Sequence, residues 1–168
     1  DVNEKVIFFF CVNFDKKFKA ISIVTFKNAN TKRNGMLNDT NYTWNFEMQK
    51  PMSSYLVMLA IGNFLHKTEK SASGIPLENY YKPVAEDKYQ YTYKHSTEIF
   101  NFLEKEIGVK YPWKVYRQVP VEDFLYAGME NTSATIFAQD YVVDESGFND
   151  RNYLNVNAHE LAHQWFGD

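Results

Sequence analysis

The sequence predicts an α+β fold in which a β-rich first third precedes a mixed remainder of helices and strands. Three observations carry this expectation. Up to Gly62 the apolar residues fall in short β-branched and aromatic runs separated by turn residues. Lys94–Ile107 repeats Ile99, Phe102, Leu103 and Ile107 at helical spacing and stops at Gly108. The segment from Asn149 or Asp150 to about Phe166 begins with a capping side chain and reads as a final helix.

Taken in order, Val6–Phe14 and Phe18–Thr25 are strands, and Asp15-Lys16-Lys17 between them suits a hairpin. Lys27–Asn41 is polar and carries Asn34-Gly35, a strong turn signal. In Tyr42–Met48 the residues Tyr42, Trp44, Phe46 and Met48 alternate with Thr43, Asn45 and Glu47, the pattern of a half-buried strand. Tyr55–Ile61 is apolar on both faces and reads as a central strand. From His66 to Gly74 the chain turns polar, which marks a boundary between residues 1–66 and 67–168. Val115–Val121 and Thr135–Ala138 are the later strands.

Composition narrows the function. The 168 residues are 45% hydrophobic and 23% charged, ordinary for a folded globular chain. A net charge of −3 offers no electrostatic footprint for nucleic acid. The apolar runs Val6–Val12 and Tyr55–Ile61 fall far short of the roughly 20 residues of a membrane helix. Cys11 is the single cysteine and makes no internal disulfide. The chain starts abruptly at Asp1 and stops at Asp168 directly after its most informative motif, so a piece of a longer protein is expected. Nothing in these residues reports a compartment.

That motif is His159-Glu160-Leu161-Ala162-His163, the H-E-x-x-H pattern. Four helical residues turn through about 400°, so His159 and His163 lie roughly 40° apart and one turn apart. Both imidazoles can then hold one metal ion, and nitrogen ligands beside a carboxylate point to zinc over magnesium or calcium. Glu160 falls about 60° from His163, beside the metal, where it can take a proton from a metal-bound water. Leu154, Ala158, Leu161, Ala162 and Trp165 cluster on the far side and read as the core-facing stripe. The longer H-E-x-x-H-x-x-G-x-x-H form is excluded because Phe166 stands where its Gly belongs.

About thirty residues earlier, Ala127-Gly128-Met129-Glu130-Asn131 lies between the aromatic Phe124-Leu125-Tyr126 and the strand Thr135–Ala138. A Gly here permits close approach of a ligand backbone, and the neighbouring carboxylate can grip a cationic group. Read alone, such a stretch is more often an ordinary turn.

Together the two stretches resemble the zinc aminopeptidase family of the aminopeptidase N and leukotriene hydrolase type. The matches are G-x-M-E-N at Ala127–Asn131, with Ala127 where the family usually has Gly, and H-E-x-x-H-x-W-x-G-[ND] at His159–Asp168. Gln49–Leu56 with Ile61-Gly62 is similar to the segment closing the family's N-terminal β domain, and Asp1–Phe8 to its D-E-P-x-x-K-A-x-F stretch. The resemblance implies that 1–66 end an N-terminal β-sheet domain and that 67–168 begin a thermolysin-like metallopeptidase domain. It implies zinc on His159 and His163, water activation by Glu160, and Glu130 binding the free α-amino group of a peptide. Ala127, Gly128, Met129 and Asn131 would line the substrate. The family's third zinc ligand, a glutamate, is expected beyond residue 168, so the piece alone is expected to be inactive.

The activity implied is removal of N-terminal residues from peptides. An epoxide-opening hydrolase of the leukotriene type would use the same zinc, and a non-catalytic folded module is the reading from a different class. His66 and His95 match no ligand position and are expected to be packing or surface residues. Tyr89, Tyr91 and Tyr93 are expected to pack, and Glu122-Asp123 to be a solvated loop.

Overall fold

A computed structural model describes residues 4–23, 25–30, 41–48 and 50–167. Within them the strands are β1 (Lys5–Val6), β2 (Phe9–Asp15), β3 (Lys19–Ser22), β4 (Thr25–Asn30), β5 (Asn41–Glu47), β6 (Met52–Ser53) and β7 (Leu59–Gly62). Then follow β8 (Leu65–Lys70), β9 (Pro76–Tyr81), helices α1 (Tyr89–Thr92) and α2 (Ser96–Ile107), and β10 (Tyr116–Val121). The chain continues through β11 (Gly128–Met129) and β12 (Ala134–Ala138) to α3 (Leu154–His163). The mixture of sheet and helix is that of an α+β fold. No described helix is long and apolar enough to cross a membrane.

The first seven strands form small antiparallel sheets: β2–β5–β4, β1–β6 and β3–β7. Asp15-Lys16-Lys17 does turn the chain, with the Asp15 carbonyl accepting from Phe18 N–H and its carboxylate from Lys17 N–H, both at 3.0 Å. The expected hairpin does not form, however, because β2 pairs with β5 and β3 with β7. The turn is a corner between two sheets. What selects β5 is cross-strand aromatic packing, Phe14 on Trp44 with ring centroids 5.1 Å apart and Phe10 on Phe46 at 5.6 Å.

Two further strand expectations are corrected. Val6–Phe14 is interrupted at Ile7-Phe8 and divides into β1 and β2. Tyr55–Ile61 is no central strand: a 3₁₀ turn occupies Ser54–Leu56 and strand pairing begins only with β7 at Leu59. Leu56, Met58 and Ala60 are buried while Tyr55, Leu59 and Ile61 reach solvent, so this apolar run covers one face only. The Asn34-Gly35 turn lies outside the described residues.

The second part is organised by one five-stranded sheet of order β11–β12–β10–β9–β8. Strands β9, β10 and β12 run parallel, and β8 and β11 are antiparallel edges. The polar stretch read as a boundary contains β8 itself, whose polar residues suit a solvent-facing edge. Helices α1 and α2 cross over between β9 and β10, and α3 packs on α2 and the β11–β12 edge. As expected, α2 ends at Gly108, whose φ of +71° lets its N–H reach the Glu104 carbonyl at 3.2 Å.

Phe100 of α2 is fully buried with Leu77, Tyr111, Tyr116 and Leu161, and it fixes α3 against the sheet. A second aromatic cluster joins Tyr81, Tyr89, Tyr93, Phe137 and Tyr153, the last two stacked 3.9 Å apart. Tyr89 and Tyr93 therefore pack, as expected. The core under the first strands includes Val119 and Ala134 of the large sheet, so both parts share apolar interior.

Candidate active site

Helix α3 starts later than its sequence suggests. Neither Asn149 nor Asp150 caps it; helical geometry begins at Leu154, and the Asn152 carboxamide oxygen accepts from Leu154 N–H at 3.2 Å. The buried stripe also differs from the apolar one. Asn157, Glu160, Leu161 and Gln164 are buried, whereas Leu154, Ala158, Ala162 and Trp165 are only half-buried. The helix therefore turns a largely polar face inward. Asn157 is tied there by its amide donating to Ser96 Oγ at 2.7 Å.

The two motif histidines converge. Their Nε2 atoms stand 3.3 Å apart with the rings edge to face. Two nitrogens bound to a tetrahedral zinc at about 2.0–2.1 Å lie roughly 3.3–3.4 Å from each other. The pair thus fits one zinc ion as two of its ligands. Among the described residues no third His, Cys, Asp or Glu joins them in a metal-holding group. The helix end carrying His163 is held by Trp165, whose Nε1–H donates to the Val109 carbonyl at 2.9 Å. Its ring packs on Tyr111 and Phe100.

Glu160 turns away from solvent and against β11. A Cβ placed on Gly128 would meet the Glu160 carboxylate: Oε1 at 2.5 Å and Cδ at 2.7 Å. The glycine of Ala127–Asn131 thus admits a side chain of the neighbouring helix, an approach that the sequence did not reveal. Burial, and after it the nearby Glu130 carboxylate, pushes Glu160 up to about 7.

The remaining residues of that stretch divide. Ala127 is exposed, and its carbonyl accepts from Ala138 N–H at 3.0 Å. Gly128 and Met129 pair antiparallel with Phe137 and Ile136, and among the described residues no strand pairs with their other edge. Glu130 is half-buried near Glu160. Asn131 is buried and points the other way, donating from Nδ2 to the Leu56 carbonyl at 3.2 Å. Phe124 and Tyr126 pack edge to face, with Leu125 and Tyr126 largely exposed.

Sequence reasoning did not single out Gln164. It is buried and bridges from the end of α3 to the turn after β11. Its only signal was its place between His163 and Trp165. His66 stacks on Tyr80 at 4.9 Å and His95 contacts Glu98 at 2.5 Å, so both pack or pair at the surface as expected.

Residues 91–168 match the Peptidase family M1 domain. Over 170 aligned positions the chain is 29% identical to the glutamyl aminopeptidase of Bos taurus, covering 99% of this chain and 17% of that protein. It is 31% identical over 139 positions to the aminopeptidase N of Lactococcus lactis subsp. lactis, covering 80% of this chain and 16% of that protein. The aminopeptidase 2 of Candida albicans is 27% identical over 150 positions, covering 87% and 16%. The chain thus spans about a sixth of the length of these relatives.

The close approach at Gly128 makes a direct structural prediction. In Gly128→Ala the new methyl and the Glu160 carboxylate cannot keep their places, and the flexible side chain is the one to yield. A crystal structure of the variant is expected to show Glu160 displaced from β11. An unmoved Glu160 beside a fully occupied alanine Cβ would contradict the packing described.

Proposed function

From the match of residues 91–168 to the Peptidase family M1 domain and the likeness to aminopeptidases, we propose that the protein containing this chain is a zinc aminopeptidase of that family and removes N-terminal residues from peptides. The observation that carries the reading is the convergence of the His159 and His163 Nε2 atoms at 3.3 Å on the helix that seats Glu160 against β11, with Glu130 near that carboxylate. Two converged imidazole nitrogens and, on the same helix, a carboxylate close to a second carboxylate make a site that favours cations.

His159 and His163 would hold the zinc, and a third ligand, a glutamate, would come from outside residues 1–168. Zinc bound there supplies Lewis-acid polarisation and a more acidic water. Glu160 takes the proton of the attacking water and passes it to the departing amine nitrogen. A carboxylate raised to about 7 suits that exchange. The free edge of Gly128 and Met129 offers backbone groups to an extended peptide. Glu130 takes the substrate's ammonium. That pairing also supplies the selectivity, since a blocked N-terminus leaves a half-buried carboxylate without its cation. In the same reading residues 1–66 end an N-terminal β domain and 67–168 begin a thermolysin-like catalytic domain. The change from small antiparallel sheets, ending with β7 at Gly62, to the mixed five-stranded sheet, entered with β8 at Leu65, falls close to this division and supports it.

Two imidazoles are fewer than the three protein ligands of a catalytic zinc site. The 168-residue chain by itself is therefore expected to lose zinc on dialysis against a mild chelator and to leave aminoacyl-anilides intact. Stoichiometric zinc with measurable turnover would place the third ligand within these residues.

In the full-length enzyme, Glu160→Gln keeps the side-chain shape and removes the base. Turnover is expected to fall by about 10²–10⁴-fold, with zinc content by metal analysis unchanged. Near-normal turnover would remove Glu160 from this role.

Glu130→Ala is expected to raise the Michaelis constant for free-N-terminal peptides by about ten- to a hundredfold, the value of one charge-assisted bond. N-acetylated peptides should be poor substrates of the unmodified enzyme. Equal cleavage of free and acetylated peptides would overturn the exopeptidase reading.

A further inference from the structure

We propose that Gln164 is a positioning residue that sets Glu130, and with it the amine-binding carboxylate, at a fixed distance from the His159–His163 pair. This rests on the reading of Glu130 as the amine anchor.

Gln164 directly follows His163, and only 2% of its surface is exposed. Its side chain leaves the end of α3 and enters the turn after β11. There Oε1 accepts from Ser133 N–H at 2.6 Å, while Nε2 donates to the carbonyls of Glu130 at 3.1 Å and Asn131 at 3.4 Å. Both amide hydrogens and the oxygen are thus engaged by one four-residue segment. That segment has little freedom of its own. Ser133 stands at φ +60°, and its hydroxyl donates to the Ile23 carbonyl at 2.5 Å. The Ser133 carbonyl accepts from Arg117 N–H at 2.9 Å, and the Asn131 carbonyl from Ala134 N–H at 2.9 Å. A non-glycine residue in left-handed geometry persists where its surroundings over-determine it.

The consequence is geometric. An exopeptidase must hold the substrate's ammonium one residue away from the bond it cuts. Gln164 is bonded through the backbone to a metal-ligating residue and through its side chain to the backbone of the amine anchor. An apolar side chain of similar size would leave the Ser133 N–H buried without an acceptor and would release the Glu130 carbonyl.

The test uses the full-length, zinc-loaded enzyme and a pair of competitive inhibitors, an amino-acid hydroxamate and its des-amino counterpart. The ratio of their inhibition constants reads the amine contact alone, which a merely structural role would not move. In Gln164→Leu the preference for the amine is expected to narrow by about tenfold or more, since a misplacement of about 1 Å can remove a hundredfold. Zinc content should hold. Hydrogen exchange at the Ser133 amide should accelerate, a readout independent of activity. In a Glu130→Ala background Gln164→Leu should narrow the preference no further.

If Glu130→Ala loses the amine preference while Gln164→Leu keeps it, this inference is overturned and the anchor reading stands. If Glu130→Ala keeps the preference, both fall. Should Gln164→Leu fail to fold, Gln164→Glu serves: it retains the acceptor for Ser133 and sets a charged oxygen against the Glu130 and Asn131 carbonyls. The same narrowing is expected, and an unchanged preference overturns the proposal.

Discussion

The arrangement of the site depends on a contact that needs the absence of an atom. Helix α3 lies so near the β11 edge that Glu160 occupies the space a Cβ of Gly128 would fill. The carboxylate is thereby taken out of water and set beside Glu130, and it rises to about 7. Neither strand nor helix can shift outward freely. β11 is held by its ladder to β12, and α3 by Leu161 and Trp165 against Phe100 and Tyr111. The glutamate is therefore positioned by the approach of the two elements.

The way α3 is held also bears on precision. A helix buried along an apolar stripe can slide or rotate a little, because dispersion contacts are numerous and weakly directional. The inward face here is Asn157, Glu160, Leu161 and Gln164, and two of these residues act through directional hydrogen bonds. Each contributes only about 0.5–1.5 kcal/mol net, but leaving one buried group unpaired costs about 1–3 kcal/mol. Rotation of the helix would forfeit several at once. Such a face specifies a single orientation, and with it the convergence of the two Nε2 atoms at 3.3 Å.

These same features mark the limits of the sequence. The spacing of His159, Glu160 and His163 was legible because helical geometry alone brings i and i+4 together. The end of α2 was legible because Gly108 is a local signal. The partner of β2 was not, since Asp15-Lys16-Lys17 turns the chain whichever strand follows, and only aromatic packing across thirty residues selects β5. The run Tyr55–Ile61 looked buried on both faces because apolarity reports preference, not how many faces the fold can cover. Asn157 and Gln164 were invisible for the opposite reason: polar side chains look like surface until their hydrogen-bond partners, 61 and 31 residues away, are in place. Gly128 was noticed as a place of close approach, but the approach of Glu160 was not legible, because a glycine shows that something comes close without showing what.

A balance of charge connects these points to the proposed reaction. The described site gathers Glu160 and Glu130, and it supplies no cation of its own to either carboxylate; two such groups in partial burial oppose one another. Two positive charges would resolve this, and the proposed reaction brings both. In that reading zinc would be held by the imidazoles of the helix that carries Glu160, and the substrate's ammonium would meet Glu130. The first would make the water more acidic; the second would arrive only with a peptide that has a free N-terminus. Binding the right substrate then completes an electrostatic arrangement that the protein leaves unfinished. A peptide without that ammonium must instead bury part of a carboxylate unpaired, whatever contacts its backbone makes with β11. Selectivity for the chain end would then be a property of the charges, and the placement of Glu130 relative to the histidines would decide which bond is presented.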